Sequence, residues 1–268
     1  MKVATWNLAR SVPKARRRHA AIAETIRHVA ADVWVLTETH DSVIPGLDFQ
    51  GVSTVGSDRP SEVGERWTTI WSRFPLEPLS PTSDPVRTVA ARVLPPHGAP
   101  LIVYGTVLPW LGSRWRGIPG KDGRAFAAAL ACQESDWKKL QESHHGHDLI
   151  VAGDFNQDLS DTHYYGSAVN RLSLAEALTR AGLAAVTGGA ADPVRLASPT
   201  RACIDHVCIS KTSTWKIRAA IRWPDLPHPD PSLSDHFGIV IEFSSRLPTA
   251  CGQRRRAPSW AAAAEAVR

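Results

Sequence analysis

The sequence of 268 residues lacks the marks of several classes of protein. Its four cysteines form no Cys-x-x-Cys pair, so we expect neither a disulfide scaffold nor a structural zinc site. Its purely apolar runs are strand-sized, and none approaches the ~20 residues of a membrane span, so we expect no integral membrane association. Because no signal-peptide core with a small-residue cleavage site follows Met1, we expect a cytoplasmic protein.

Most of the chain also has little excess of positive over negative charge. Hydrophobic residues make up 43% and charged residues 21%, a globular balance that excludes a disordered chain or a coiled coil. Of the formal net charge of +5, residues 244–268 carry +4, which leaves +1 for residues 1–243. The basic excess therefore does not by itself predict a nucleic-acid partner. We expect one domain at 1–246 and a basic, flexible tail at 247–268.

Hydrophobic periodicity predicts more strands than helices. The strands are expected at 2–8, 33–38, 67–72, 86–93, 101–107, 148–153, 203–209, 215–223 and 236–243. The helices are expected at 14–30, 124–141 and 171–181, and the main loops at 43–64, 75–85, 94–100 and 109–123. Several strands follow one another without a helix between them. This pattern favours an α/β (α+β) fold, in which a pair of mixed sheets is flanked by helices, over a purely parallel doubly wound sheet.

Five short segments place polar side chains at the ends of these strands. The residues concerned are Asn7, Glu38, Asp154 with Asn156, Asp205 with His206, and Asp235 with His236. Layered α/β folds place their sites at strand ends, so we expect these carboxylates to form one cluster. Carboxylates a few ångströms apart raise one another's pKa, and a divalent cation or a cationic histidine would resolve the repulsion. Oxygen and amide ligands favour Mg²⁺, with Mn²⁺ as an alternative, over zinc.

In this order and spacing, the five segments resemble those of the endonuclease/exonuclease/phosphatase superfamily, which includes deoxyribonuclease I. Gly-Asp-Phe-Asn at 153–156 and Ser-Asp-His at 234–236 carry the resemblance, which extends over nearly all of residues 1–243. The resemblance implies a four-layer α/β/β/α sandwich of two packed, mostly antiparallel sheets. It also implies hydrolysis of phosphoester bonds with the help of a metal ion.

The resemblance assigns a role to each residue of the cluster. Glu38, assisted by Asn7, would hold Mg²⁺, with Asp235 as a ligand or close to the ligands of the metal. Asp154 would orient or deprotonate the attacking water, and Asn156 would donate to the phosphate. His236 would bind the phosphate or act as an acid–base group, with Asp205 fixing its tautomer. His206 is expected to be structural, because adjacent side chains on a strand face opposite ways.

The chain departs from the family pattern in two places. Many members have a histidine or tyrosine where this chain has Val107 or Leu108, so another group would have to bind the phosphate. We expect Arg114, Arg116 or Arg124 to supply it. Abasic-site endonucleases often carry an acid where this chain has Ala9, which argues against that specialisation.

The leading hypothesis is a Mg²⁺-dependent nuclease that cleaves DNA or RNA by in-line attack of water. Basic clusters at 10–18 and 114–124 favour a nucleic-acid substrate. The near neutrality of residues 1–243 favours the alternative, a phosphatase or phosphodiesterase acting on small phosphoesters, inositol phosphates or phospholipid headgroups. A non-catalytic binding module is a third reading. The sequence sets no oligomeric state.

Overall fold

Two six-stranded β-sheets pack face to face between helices. The computed structural model of the protein describes residues 1–56, 58–59, 61–226 and 228–244. Its strands and helices are β1 (Lys2–Asn7), α1 (Arg16–Val29), β2 (Val33–His40), β3 (Gln50–Ser53), β4 (Glu65–Ser72), β5 (Leu76–Pro78), β6 (Thr88–Val93), β7 (Leu101–Val107), α2 (Arg124–Ser143), β8 (Asp148–Asp154), α3 (Ala168–Arg180), β9 (Leu183–Ala185), α4 (Pro193–Ala197), β10 (Asp205–Ser210), β11 (Lys216–Trp223) and β12 (Gly238–Ser244). A short 3₁₀ helix, Gly189–Ala191, precedes α4.

The strand order confirms the predicted four-layer sandwich. The first sheet has the order β11-β12-β1-β2-β4-β3, and the second has the order β5-β6-β7-β8-β10-β9. Only β1 with β2 and β7 with β8 are parallel among the described strand pairs. The remaining neighbours are antiparallel, as expected for mixed, mostly antiparallel sheets.

Alternation along the strands builds three apolar layers. On β2, Val33 and Val35 belong to the core between the sheets, whereas Trp34 and Leu36 pack with α1. On the outer face of the second sheet, Tyr104 of β7 packs against α2 and α3. Because these layers fix both faces of β2 and β7, they also fix where each strand ends.

The structure adds short elements that the periodicity did not predict. β3, β5 and β9 are three or four residues long and lie at the edges of the sheets. Most of their residues are exposed or half-buried, so no alternation marks them. Helix α3 begins at Ala168 instead of 171, because the Ser167 side chain caps it by accepting from the backbone N–H of Asn170.

Strand directions bring the polar strand ends to one end of the sandwich. β1 and β2 are parallel, so Asn7 and Glu38 leave the first sheet at the same end. β12 is antiparallel to β1, and its start, just after His236, lies there too. In the second sheet, Asp154 at the end of β8 is the register partner of Asp205 at the start of β10.

The predicted basic tail at 247–268 lies outside the described residues. Among the residues that are described, no helix combines the length and the apolar character needed to cross a membrane.

Candidate active site

Asp154, Asp205 and His236 form the centre of the site. Asp154 and Asp205 are paired across two antiparallel strands, so their side chains lie on the same face. One potential ligand atom from each of the three residues lies within 4.8 Å of the other two. Both carboxylates are almost fully buried. The fold therefore brings together three buried or half-buried groups from three separate segments of the chain.

Glu38 reaches this centre through a strained backbone. Its φ is +47°, inside the left-handed region that residues with a side chain seldom adopt within a strand. Register pairs with β4 continue on both sides of it, at Thr37 and Thr39. The carbonyl of Glu38 accepts from the backbone N–H of Arg10 at 3.0 Å, which helps to hold this conformation. With this backbone conformation, the Glu38 carboxylate lies next to Asn7 at the end of the sheet.

Asn7 lies between two carboxylates as a hydrogen-bond donor. Its Nδ2 is 3.0 Å from Asp154 Oδ2 and 3.4 Å from Glu38 Oε1. Its Oδ1 accepts from the backbone N–H of Ala9 at 2.8 Å. Asn7 thus lowers the repulsion between Asp154 and Glu38, and its amide oxygen faces the backbone in this arrangement.

Asp154 is held in a protonation state suited to a base. Burial raises the pKa of Asp154, the nearby charges of Asp205 and Glu38 raise it further, and His236 partly offsets them, giving a pKa of about 7. Asn156 donates to this carboxylate twice, from its backbone N at 2.9 Å and from Nδ2 at 2.8 Å. A carboxylate with a pKa near neutrality accepts a proton far more readily than an ordinary aspartate.

Asn156 acts on Asp154 directly. Its backbone φ is +51°, a conformation that asparagine tolerates better than most residues. Besides the bond to Asp154, Nδ2 donates to the backbone carbonyl of Leu108 at 2.9 Å. Both amide protons are therefore used to orient Asp154 and to close the turn after β8.

His236 carries a positive charge in this setting. Burial lowers the pKa of His236, but the charge of Asp205 and its hydrogen bond to Nδ1, at 2.6 Å, raise it to about 10, with further help from Asp154 and Asp235. The second oxygen of Asp205, Oδ1, is buried and has no hydrogen-bond partner among the described residues. Because Asp205 engages Nδ1 of His236, Nε2 of His236 is the ring nitrogen left to donate a proton.

Asp235 lies at the rim. Its side chain is 76% exposed, and its Oδ1 is 4.0 Å from His236 Nε2. His206, its counterpart in the other Asp-His segment, is fully buried and contacts Thr187 Oγ1 at 2.9 Å and the carbonyl of Gln157 at 3.0 Å. His206 thus has a structural place.

The three arginines proposed from the sequence have partners away from the centre. The Arg116 guanidinium lies over the Trp115 ring and donates to the carbonyl of Ser83. Its Nη2 is 3.8 Å from Asp84 Oδ1. Arg124 Nε is 2.5 Å from Asp122 Oδ2. Arg114 is exposed, and its backbone carbonyl accepts from Arg87 Nη2 at 3.0 Å and from Ser113 Oγ at 3.2 Å. The structure records no contact between these three side chains and the carboxylates of the described site.

Sequence reasoning missed two residues at the site. Arg59 Nη2 is 3.0 Å from Glu38 Oε2. Burial raises the pKa of the Tyr165 hydroxyl, and the charges of Asp154 and Asp235 raise it further. Neither residue belongs to a motif; a tyrosine pair in the loop after Gly-Asp-Phe-Asn was the only available signal for Tyr165.

The donor set fits a hard divalent cation. Three carboxylates converge on the site from Glu38, Asp154 and Asp205, and one oxygen of Asp205 has no partner among the described residues. Burial is the main cause of the raised pKa of Asp154, and the charges of Asp205 and Glu38 add a repulsion that such a cation would relieve. Most of the available donors are carboxylate oxygens, which Mg²⁺ and Mn²⁺ prefer, and His236 Nδ1 is already engaged by Asp205.

Comparisons with known proteins agree with this architecture. The model of the Endonuclease/Exonuclease/phosphatase family matches residues 4–236. No curated protein matches the chain in sequence.

Solved structures share the fold at low sequence identity. An AP endonuclease from Leishmania major superposes with a TM-score of 0.65 at 13% identity, covering 92% of this chain and 88% of that one. The catalytic domain of human Nocturnin, with bound sulfate, gives 0.61 at 19% identity, covering 92% and 93%. D. rerio TDP2, complexed with a single-strand DNA product, gives 0.58 at 15% identity, covering 91% and 99%. The family match spans most of the chain, and the chain therefore belongs to the Endonuclease/Exonuclease/phosphatase family, whose enzymes hydrolyse phosphoester bonds.

Proposed function

We propose that this protein is a Mg²⁺-dependent phosphodiesterase that acts as a nuclease on DNA or RNA, with Mn²⁺ as an alternative ion. One observation carries the proposal. A buried carboxylate with a pKa of about 7, on Asp154, faces a protonated imidazole on His236, and Asp205 lies within reach of both. A base and an acid are thus set side by side, as in-line hydrolysis of a phosphodiester requires.

The metal would be held at the Glu38 side of the site. Glu38 would be its main ligand, with assistance from Asn7, and Asp235 at the rim would contribute directly or through water. When bound, the ion neutralises charge on the phosphate and polarises one of its oxygens. For Asn7 to ligate, its amide must turn, because Nδ2 now faces the carboxylates.

Proton transfer would belong to the other side. Asp154, whose Oδ1 and Oδ2 each accept one hydrogen bond from Asn156, takes a proton from the attacking water. His236 Nε2 donates a hydrogen bond to the phosphate or a proton to the leaving oxygen. Asp205 Oδ2 keeps the proton on Nδ1, so that Nε2 is the donor, and the imidazole is neutral once Nε2 has given its proton to the leaving oxygen.

Exposed cations and aromatic rings favour a nucleic-acid substrate. Arg16 and Arg17 are exposed at the start of α1, and Trp110 is 52% exposed in the loop after β7. Arginines contact phosphates, and exposed rings stack on bases. Among the structural neighbours, D. rerio TDP2 was solved with a single-strand DNA product.

Cleavage of supercoiled plasmid and of an end-labelled single strand, in Mg²⁺ and in EDTA, tests the proposal. We expect cutting in Mg²⁺ that is lost in EDTA and in Asp154→Asn. Asp225→Asn is the matched control, because the Asp225 side chain is fully exposed and lies outside the site. Cutting that survives in Asp154→Asn would refute the assigned chemistry.

A second candidate keeps the site and changes the substrate to a small phosphoester, such as an inositol phosphate or a lipid headgroup. It is favoured by the net charge of only +1 over residues 1–243, and by the carboxylate partners of Arg116 and Arg124. Salt distinguishes the two. Binding of a polyanion weakens steeply between 50 and 200 mM salt, on the order of 10³-fold or more for several phosphate contacts, whereas turnover of a small ester changes little.

A further inference from the structure

The Arg59 side chain, at the edge of the active site, contacts both an aromatic ring and a carboxylate. Its guanidinium carbon lies 3.8 Å from the centroid of the Trp67 ring. Its Nη2 is 3.0 Å from Glu38 Oε2, and the side chains of Arg59 and Glu38 are 26% and 20% exposed. A cation is therefore stacked on an aromatic face and aimed at the carboxylate that we assign to the metal.

Asp58, the neighbouring residue, holds the backbone next to Arg59 through contacts that do not involve Glu38. Asp58 Oδ2 accepts from Arg87 Nε at 3.0 Å and from Arg87 Nη2 at 2.8 Å. Asp58 Oδ1 accepts from Trp67 Nε1 at 2.8 Å. Arg87 is buried and also approaches the Trp67 ring, at 4.7 Å. The backbone at Arg59 is thus anchored whether or not Arg59 holds Glu38.

The two carboxylate oxygens of Glu38 have different partners. Oε1 accepts from Asn7 and Oε2 from Arg59, so the carboxylate is already neutralised by a guanidinium. A divalent cation bound by Glu38 repels that guanidinium and takes its partner. The guanidinium fork is planar and always charged, and its natural alternative partner is a phosphate, which it binds in a bidentate way.

The chain also lacks the usual group for this task. Val107 and Leu108 stand where a phosphate-binding histidine or tyrosine was expected from the family resemblance, and both are buried. Arg116 and Arg124 are paired with Asp84 and Asp122.

We propose that Arg59 is a substrate-binding residue that holds Glu38 until a divalent cation takes that carboxylate, and then binds the phosphodiester. This inference rests on the proposed phosphodiester hydrolysis, although both parts of its test measure binding and need no turnover. Arg59 thereby couples metal binding to phosphate binding.

The first part of the test measures metal binding without substrate. Mn²⁺ is titrated into the protein and the free ion is followed by electron paramagnetic resonance. In Arg59→Gln, the competing cation is gone, and we expect Mn²⁺ to bind about fivefold more tightly. Arg66→Gln is the matched control, because Arg66 lies on β4 and pairs with Asp41 at 2.7 Å. Equal Mn²⁺ affinity in wild type and Arg59→Gln would overturn the proposal.

The second part measures phosphodiester binding with diethyl phosphate, followed by ³¹P nuclear magnetic resonance. With saturating Mg²⁺, we expect about tenfold weaker binding in Arg59→Gln than in wild type, because a charge-assisted pair is lost. Without Mg²⁺ the two proteins should differ little, since Glu38 then engages Arg59. Arg59→Lys keeps the charge without the fork and should recover part of the affinity.

The outcomes separate this inference from the proposed function. Loss of the difference between Arg59→Gln and wild type in Mg²⁺, or absence of diethyl phosphate binding in wild type, would overturn the role of Arg59. A wild-type protein that binds both probes as expected but cleaves no nucleic acid would refute the nuclease and leave the role of Arg59 standing. Arg59→Lys provides the comparison if Arg59→Gln does not fold.

Discussion

Replacing Asp205 by asparagine should change the charge of His236 at neutral pH. Asp205 is 3% exposed, and its Oδ2 lies 2.6 Å from His236 Nδ1. Asparagine keeps the shape and an acceptor oxygen but removes the negative charge. Burial alone lowers the pKa of the imidazole, so in Asp205→Asn the pKa should fall from about 10 towards the ordinary value of about 6.5 or below.

The structure also sets the size of the effect on stability. A pKa near 10 in the folded protein, against about 6.5 in the unfolded chain, corresponds to about 5 kcal/mol, at about 1.4 kcal/mol for each tenfold change in proton affinity. Because the folded pKa of His236 is raised, this stabilisation is fully present below pH ~6.5 and is lost as the pH rises to about 10. In this window the free energy of unfolding should fall by about 1.4 kcal/mol per pH unit through this group.

Urea denaturation in EDTA at several values between pH 7 and 9.5 measures this slope. The buried thiols of Cys203 and Cys208, whose pKa values are raised by burial, add a pH dependence of the same sign. The pKa of Cys208 is raised by burial alone and is unchanged in Asp205→Asn, but the charge of Asp205 contributes to the raised pKa values of Cys203 and Asp154. The titration of His236, followed by nuclear magnetic resonance, therefore assigns the difference between the two slopes. Asp225→Asn should behave as wild type. Parallel slopes, or an unchanged His236 titration by nuclear magnetic resonance, would refute the reasoning.

Gly153→Ala, with Gly146→Ala as its control, tests how the backbone presents the site, and Asp158→Asn tests a buried carboxylate next to it. A Cβ on Gly153, whose φ is +138°, would lie 2.0 Å from the carbonyl oxygen of Thr106, so Gly153→Ala should cost about 3 kcal/mol or more and displace Asp154. Gly146→Ala, with φ at +82° and open space around it, should cost only about 1 kcal/mol, and similar urea midpoints for the two would contradict this account. Fully buried Asp158 accepts from the backbone N–H of Tyr165 at 2.7 Å and pairs with Arg171 at 3.1 Å. Asp158→Asn should therefore cost about 3 kcal/mol, and a urea midpoint within error of wild type would exclude a structural role for the buried pair.

The sequence predicted the site best where strand ends decide the geometry. Asn7, Asp154 and Asp205 each mark the boundary of a buried strand, and antiparallel or parallel pairing then brings these boundaries together. Alternation also separated Asp205 from His206, because the two adjacent side chains of β10 face opposite ways. Which side chains converge was therefore readable, although the roles assigned to them stay predictions.

The same reasoning failed for residues placed by tertiary contacts. Arg59 lies in a segment expected to be a loop, and its position depends on the bonds between Asp58 and Arg87, 29 residues apart. No local pattern encodes such a contact. For Arg124 a local signal did exist, since Asp122, two residues earlier, offers a carboxylate within reach. Asp122 therefore lowers the expectation for Arg124, whereas the partner of Arg116, Asp84, is distant in sequence and has no such local signal.

Two ion pairs of the site differ in burial: one is buried and hard to break, whereas the other is more open and can exchange its partner. Asp205 and His236 form a pair whose side chains are 3% and 13% exposed, and breaking a buried pair is costly. Glu38 and Arg59 form a second pair, more open at 20% and 26%, and Arg59 keeps the Trp67 face as a seat when Glu38 is lost. Exposed pairs are worth little, so the second pair yields its carboxylate to a competing cation far more readily than the first. A metal should therefore enter at Glu38 and leave the proton on His236 undisturbed, which keeps charge neutralisation and proton transfer on separate residues.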